Sequence, residues 1–206
     1  MLENFDIKFT KSIVSLKDLP KDRGREVIFC GISNAGKSSV LNSLSQNKRI
    51  SKTSKTPGRT QSLNLFYVHN KEEKRIIDLP GYGYAKVSKK MRDNWVTMIN
   101  NYLNSRKSLV GLLIIMDIRH PFKEMDLRLI EWCGETNIPL KILLNKKDKL
   151  SNNQAVYQEK KYLKILEEIN NKAEMQLYSC KKKIGQKELI NTMGDWLKIE
   201  SPENPG

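Results

Sequence analysis

Gly31-Ile32-Ser33-Asn34-Ala35-Gly36-Lys37-Ser38 fits the phosphate-loop pattern G-x-x-x-x-G-K-S/T. Glu26-Val27-Ile28-Phe29-Cys30 precedes it as a short apolar run of strand type. Ser39-Val40-Leu41-Asn42-Ser43-Leu44 follows, with apolar residues at helical spacing. A glycine turn between a core strand and a core helix would look similar in part. The complete strand–loop–helix context with its Lys-Ser pair points instead to a phosphate site. Glycines let the backbone wrap a polyphosphate with its N–H groups turned inward, and the helix opening near Lys37 adds the positive end of its dipole. Lys37 is placed to reach β- and γ-phosphates, and the Ser38 hydroxyl to ligate Mg²⁺. This stretch leaves the base undetermined.

Outward from the loop, Leu63-Asn64-Leu65-Phe66-Tyr67-Val68 and Arg75-Ile76-Ile77-Asp78 read as strands joined by a turn over His69-Asn70-Lys71-Glu72-Glu73. The second delivers Asp78-Leu79-Pro80-Gly81 at its carboxyl end. Asp, Pro and Gly are ordinary turn residues. Downstream of a phosphate loop, however, the Asp78 carboxylate is placed to hold Mg²⁺, often through water, and the Gly81 N–H to approach a γ-phosphate. Pro139-Leu140-Lys141-Ile142-Leu143-Leu144 is a further strand and delivers Asn145-Lys146-Lys147-Asp148. The Asp148 carboxylate is able to accept two hydrogen bonds, from N1–H and the exocyclic amine of guanine. Adenine offers neither donor in that geometry, and sites of this kind discriminate by about 10⁴–10⁵. The Lys146 stem packs on the base plane, and the Asn145 amide ties this loop to the phosphate loop. Met175-Gln176-Leu177-Tyr178-Ser179-Cys180 is a last strand and turn, with backbone N–H groups available to guanine O6.

The chain has 206 residues, enough for one domain with a substantial core, and 38% hydrophobic with 29% charged residues excludes a disordered class. Its net charge of +14 favours a polyanionic partner, against the plain alternative of a solvated lysine-rich surface. Cys30, Cys133 and Cys180 are far apart and lack metal-ligand spacing, which suits a reduced, cytosolic compartment. The acidic start is not of signal-peptide type, and the longest apolar run, Leu109 to Met116, is too short to span a bilayer.

The remaining chain reads coarsely. Phe5 to Phe9 alternates weakly, as an edge strand would. Gln46 to Gln61, with Lys48, Arg49, Lys52, Lys55, Pro57 and Gly58, is a long polar loop. Trp95, Met98, Ile99, Tyr102 and Leu103 mark a helix with a core face, and Met125 to Trp132 another. Leu109–Met116 is a buried strand ending in Asp117-Ile118-Arg119-His120, for which a loop-ordering role outweighs a metal site. Residues 154–171 and 184–199 read as helices. Lys181-Lys182-Lys183 is a charge run open to solvent or to an RNA backbone.

Together, Gly31 to Ser39, Thr56-Pro57-Gly58-Arg59-Thr60-Gln61, Asp78-Leu79-Pro80-Gly81-Tyr82-Gly83-Tyr84-Ala85, Asp117-x-Arg119-His120 and Asn145-Lys146-x-Asp148 resemble the EngB family of small bacterial GTPases. The resemblance covers about residues 5–199. It implies an α/β fold: a three-layer Ras-like G domain whose mostly parallel central sheet carries helices on both faces. It divides the chain into an N-terminal extension, 1–23, packed on the G domain at 24–199, and a disordered tail, 200–206. It implies binding of GTP and GDP with Mg²⁺, ligated by Ser38, Thr60 and Asp78. Lys37, Thr60 and Gly81 would be the groups acting at the γ-phosphate. Gly58, Arg59, Thr60, Gln61 and Ser62 would form switch I, and Asp78, Leu79, Pro80 and Gly81 the start of switch II. Asn145, Lys146, Lys147 and Asp148, with Tyr178, Ser179 and Cys180, would hold guanine. It further implies a cytoplasmic monomer that acts in assembly of the large ribosomal subunit, contacting its rRNA and proteins rather than DNA or membrane, and that serves cell division and septation. Two departures are mild: Asn145 stands where Thr is more usual, and Ile32 where Arg is common.

Tyr82 follows Gly81 where Ras-like enzymes carry the Gln that orients water, so slow intrinsic hydrolysis is expected, completed by a partner or a cation. Asn34 resembles the phosphate-loop Asn that coordinates K⁺ in some relatives. Lys86, Lys89, Lys90 and Arg92 are candidates for RNA contact beside switch II. Two alternatives stand beside the switch: a constitutive basic RNA-binding module with a structural nucleotide, and a phosphate-loop ATPase or kinase, which Asn145-Lys146-x-Asp148 argues against.

Overall fold

A computed structural model describes residues 4–46, 50, 62–82 and 89–200, the side chains of 89–95 excepted. The expected residues of the Gln46–Gln61 loop beyond Gln46 and Ile50, Lys86, and the tail from 201 lie outside the described residues. So do Gly58, Arg59, Thr60 and Gln61, and the side chains of Lys89, Lys90, Arg92 and Trp95.

Seven strands are described: β1 (Ile7–Ile13), β2 (Arg25–Cys30), β3 (Leu63–Val68), β4 (Lys71–Asp78), β5 (Leu109–Asp117), β6 (Leu140–Asn145) and β7 (Glu174–Leu177). Five helices accompany them: α1 (Lys37–Leu44), α2 (Lys89–Ser105), α3 (Glu124–Thr136), α4 (Asn152–Ile169) and α5 (Gln186–Leu197). The strands form one sheet in the order β1-β3-β4-β2-β5-β6-β7. Strand β3 runs antiparallel to both its neighbours, β1 and β4; the pairings from β4 through β7 are parallel.

Period-two burial divides the core into two layers. Ile28, Cys30, Leu112, Ile114, Met116, Ile142 and Leu144 face α2, α3 and α4. Their neighbours Val27, Phe29, Leu113, Ile115 and Leu143 face α1 and α5. A central strand buried on both faces reads as a continuous apolar run, as Leu109 to Met116 does.

Several boundaries differ from expectation for identifiable reasons. The edge strand β1 extends to Ile13, because pairing with β3 resumes after an irregularity between Phe9 and Lys11. The β3–β4 turn is only two residues, His69 and Asn70, both at positive φ (52° and 54°), so Lys71 to Glu73 join the strand. The last strand stops at Leu177, where Tyr178 turns toward the loop after β6. Helix α4 starts at Asn152, two residues before expected, because Ser151 and Gln154 form a capping box there.

Strand β2 sits between β4 and β5: the chain leaves β2 through α1 toward β3 on one side, and leaves β4 through α2 past β2 to β5 on the other. The loops at the carboxyl ends of β2, β4, β5 and β6 therefore converge on the crevice where parallel sheets bind ligands.

Candidate functional site: a phosphate loop and a base-reading loop

The phosphate loop leaves β2 at Gly31 and enters α1 through Gly36, whose φ of 105° is left-handed. A Cβ on Gly36 would lie 2.3 Å from Asn145 Nδ2, so the position takes glycine for space as well as for conformation. Among the described residues no side chain caps the start of α1. This end of the helix is the dipole end that favours phosphate. Lys37 Nζ lies 3.5 Å from Asp78 Oδ1, with both side chains largely buried. Burial raises the Asp78 carboxyl; Lys37 and Asn64 offset this only in part. Asp78 Oδ1 is buried and accepts no hydrogen bond among the described residues.

The start of the segment after β4 lies directly on the phosphate loop. Ser33 N–H donates to Tyr82 O at 2.9 Å, and Ile32 and Tyr82 form an isolated parallel bridge. At Gly81 a Cβ would stand 3.0 and 3.1 Å from Ser33 Cα and N, closer than most such contacts allow. Leu79 is fully buried and donates its N–H to Phe29 O at 2.9 Å. Pro80 is half-buried, as are Ser38 and Ser62.

The loop after β6 is tied to the phosphate loop twice. Asn145 Nδ2 donates to Ala35 O at 2.8 Å. Lys146 Nζ donates to Asn34 O at 2.6 Å and to Asp117 Oδ2 at 2.9 Å. Asn34 and Lys146 both occupy positive φ, 68° and 65°, at the two ends of that second tie. Asp117 also accepts from Arg119 through Nε at 2.9 Å and the terminal amine at 2.7 Å. Partial burial pushes the Asp117 carboxyl up, but these donors hold it well below the usual carboxylate range. Lys147 N–H donates to Tyr178 O, and its ammonium to Asn152 Oδ1.

The turn after β7 completes this end. Ser179 Oγ donates to Asp148 Oδ1 at 2.6 Å and holds that carboxylate below its ordinary pKa. The Tyr178 and Ser179 N–H groups donate to Leu144 O and Ile184 O, at 3.0 and 3.1 Å, so they are engaged within the protein. The Tyr178 hydroxyl meets Ser43 Oγ of α1 at 2.8 Å. Cys180 is half-buried, and burial pushes its thiol up.

The structure thus brings together Gly31 to Ser38, Asp78 to Gly81, Asn145 to Asp148 and Tyr178 to Cys180. Sequence reasoning gave Asp117 a loop-ordering role; the structure shows that it does so by holding Lys146. It passed over Asp126, which sits on the buried face of α3 with Leu129, Ile130 and Cys133. An acidic residue at helical core spacing was the signal available for it.

The chain is similar to known proteins along most of its length. Residues 26–146 match the family described as "50S ribosome-binding GTPase". A probable GTP-binding protein EngB from Neisseria meningitidis serogroup B is 47% identical over 193 residues, covering 92% of this chain and 90% of that protein. The corresponding protein of Coxiella burnetii is 42% identical over 195 residues, covering 95% and 94%. Among solved structures, a probable GTP-binding protein EngB aligns over 85% of this chain and all of its own, with a TM-score of 0.61 and 18% identity. A variant of Era from Aquifex aeolicus bound to GDP and AlF4⁻ gives a TM-score of 0.64 at 24% identity, covering 89% and 60%. At these identities the structures speak to the fold, a Ras-like G domain, and the sequence relatives to the lineage. The chain belongs to the EngB family of GTP-binding GTPases.

Proposed function

We propose that this GTPase is a slow, Mg²⁺-dependent switch that acts on the large ribosomal subunit during its assembly and so serves cell division and septation. The observation that carries the nucleotide half is the double tie from Asn145 and Lys146 to the carbonyls of Ala35 and Asn34, which couples base recognition to the phosphate loop. Asp148, preset by Ser179, accepts the two guanine donors. The Cys180 amide is the remaining turn N–H for guanine O6, since those of Tyr178 and Ser179 are engaged.

The donor set fits Mg²⁺: Asp78 presents a buried carboxylate oxygen without a hydrogen bond among the described residues, and Ser38 lies in the first turn of α1. Ser38, Thr60 and Asp78 would hold the ion. When bound, the ion supplies neutralisation of charge on the β- and γ-phosphate oxygens. Lys37 then exchanges its Asp78 contact for phosphate, and the Gly81 N–H faces the γ-phosphate. The Tyr82 hydroxyl is spent on Asp126, so Tyr82 does not orient water in the way the Ras-like Gln does. Intrinsic hydrolysis is therefore slow, and a partner or a K⁺ ion near Asn34 completes the site.

The partner half rests on the net charge of +14, the description of the matched family, and the Lys181-Lys182-Lys183 run, all three exposed. No described helix is long and apolar enough to cross a membrane. We place the protein in the cytoplasm as a monomer. The test is GTP turnover by the protein alone and with purified large subunits, in Mg²⁺ with K⁺ or Na⁺. Slow turnover stimulated by subunits supports the reading; fast turnover unaffected by subunits or cation contradicts it. If the chain is instead a constitutive basic RNA-binding module, subunit binding will be the same with any nucleotide.

A further inference from the structure

Asp126 is a carboxylate on the core face of α3, 1% exposed, and forms no ion pair with a cationic side chain among the described residues. Burying such a group is costly unless its oxygens are hydrogen-bonded. Here both are. Oδ1 accepts the Tyr82 hydroxyl at 2.5 Å, and Oδ2 accepts the Lys123 N–H at 2.9 Å, which caps the first turn of α3. Tyr82 is itself 6% exposed, and its ring joins the core layer facing α2, α3 and α4. Its backbone points the other way: Tyr82 O accepts the Ser33 N–H at 2.9 Å, and Gly81 lies against Ser33. One residue therefore joins α3 to the phosphate loop, by its hydroxyl at one end and its carbonyl at the other.

A helix cap alone does not call for a buried tyrosine, and a core tyrosine does not call for a buried acid. The pair makes sense as a tether. Its backbone end sits next to the amide that must meet the γ-phosphate. Misplacement of a reacting group by about 1 Å costs up to about 100-fold in rate.

We propose that Asp126 is a positioning residue for GTP hydrolysis: by holding the Tyr82 hydroxyl it fixes Gly81 and Tyr82 against Ser33, so that the Gly81 amide stands at the γ-phosphate. This rests on the proposed role of the Gly81 amide in the GTPase site. Helix α3 is thereby part of the hydrolytic apparatus, although it contributes nothing that touches nucleotide.

The test uses the full-length protein and compares Asp126→Ala, Asp126→Asn and Tyr82→Phe for steady-state kcat and KM, GDP affinity and thermal stability. Tyr82→Phe keeps the α3 cap and removes the tether; Asp126→Asn keeps an acceptor for Tyr82 and weakens the cap. A tether predicts that kcat falls by about 10- to 100-fold in Asp126→Ala and Tyr82→Phe, with KM and GDP affinity unchanged. Asp126→Asn should restore most of kcat, even if its melting temperature drops. The double variant Tyr82→Phe/Asp126→Ala should be no slower than Asp126→Ala, since both break one link. If Asp126→Ala does not fold, Tyr82→Phe and Asp126→Asn decide. Wild-type kcat in Tyr82→Phe, losses that follow thermal stability, or additive losses in the double variant overturn it. Absence of hydrolysis in the wild-type protein would instead count against the GTPase site itself.

Discussion

The side-chain amide of Asn145 donates to the carbonyl of Ala35 at 2.8 Å, across the gap that a Cβ on Gly36 would close. A residue of the loop after β6, the proposed base-reading loop, is thus tied to the loop proposed to cradle phosphate. Asn145→Ala leaves the buried Ala35 carbonyl without this donor, which costs about 1–3 kcal/mol. GDP and GTP analogue affinities should both fall by about 5- to 150-fold on that basis, measured by titration with fluorescent nucleotides. Asn145→Thr, which retains a donor hydroxyl, should lose much less. Equal losses in the two variants would mean that the hydrogen bond is not what matters there.

Asp117 holds Lys146, and Lys146 holds Asn34 O. Releasing Lys146 frees a long side chain in a left-handed backbone position, so Asp117→Ala should weaken GDP binding by about tenfold. Arg119 contacts the same carboxylate, but its side chain is 43% exposed. Arg119→Ala should therefore change binding little. The two variants are compared by calorimetry. A larger effect from Arg119 would reverse their order of importance and contradict the role assigned to Lys146.

The pH dependence of base recognition follows from Asp148. In the proposed site, the ionised Asp148 carboxylate is the form that would accept both guanine N–H donors. Hydrogen bonding from Ser179 holds its pKa below the ordinary value of about 3.9. A lowered pKa means that the ionised form persists as pH falls, and recognition is lost only on passing below that value. GDP affinity should thus lack an Asp148-dependent fall between pH 7 and about 4.5. Ser179→Ala should move the acid limb upward. An acid limb that stays in place in Ser179→Ala would refute the assignment.

At the opposite end of the sheet, Glu26 is fully buried and bridges Arg75 Nε at 2.9 Å, Arg106 and the Tyr102 hydroxyl at 2.5 Å. Arg75 also donates to the carbonyls of Glu72 and Arg23. Arg75→Met leaves Glu26 with Arg106 and Tyr102 but removes one of its two cations and the donor to two carbonyls, so it should destabilise the fold by about 2–3 kcal/mol in urea unfolding. Combining it with Glu26→Gln should recover part of that loss. Nucleotide affinity of the folded fraction should be unchanged, because these residues lie away from the carboxyl ends of the strands, where the nucleotide loops gather. A change in affinity without loss of stability would contradict this.

Much of this arrangement was legible in the amino-acid order. Runs such as Leu109 to Met116 and the phosphate loop announce strand ends and their cargo, because burial on both faces and phosphate wrapping each demand narrow residue types. The guanine loop followed from a motif placed at such an end. The two-residue turn at His69 and Asn70 was hidden, since positive φ at a histidine leaves little trace in composition. The Tyr82–Asp126 pair was hidden for another reason: its partners are 44 residues apart, and neither belongs to a motif whose chemistry names the other. Asp117 lay between these cases, visible as a strand-end acid but with its bond to Lys146 set by tertiary contact.

The central claim is that nucleotide state controls engagement with the large ribosomal subunit, and co-sedimentation tests it most directly. Purified large subunits are pelleted with the protein in GTP analogue, GDP or no nucleotide, each at two salt concentrations. A switch predicts binding with the GTP analogue and little with GDP or without nucleotide. Equal, strongly salt-sensitive binding in all three states would contradict it and identify a constitutive basic RNA-binding module.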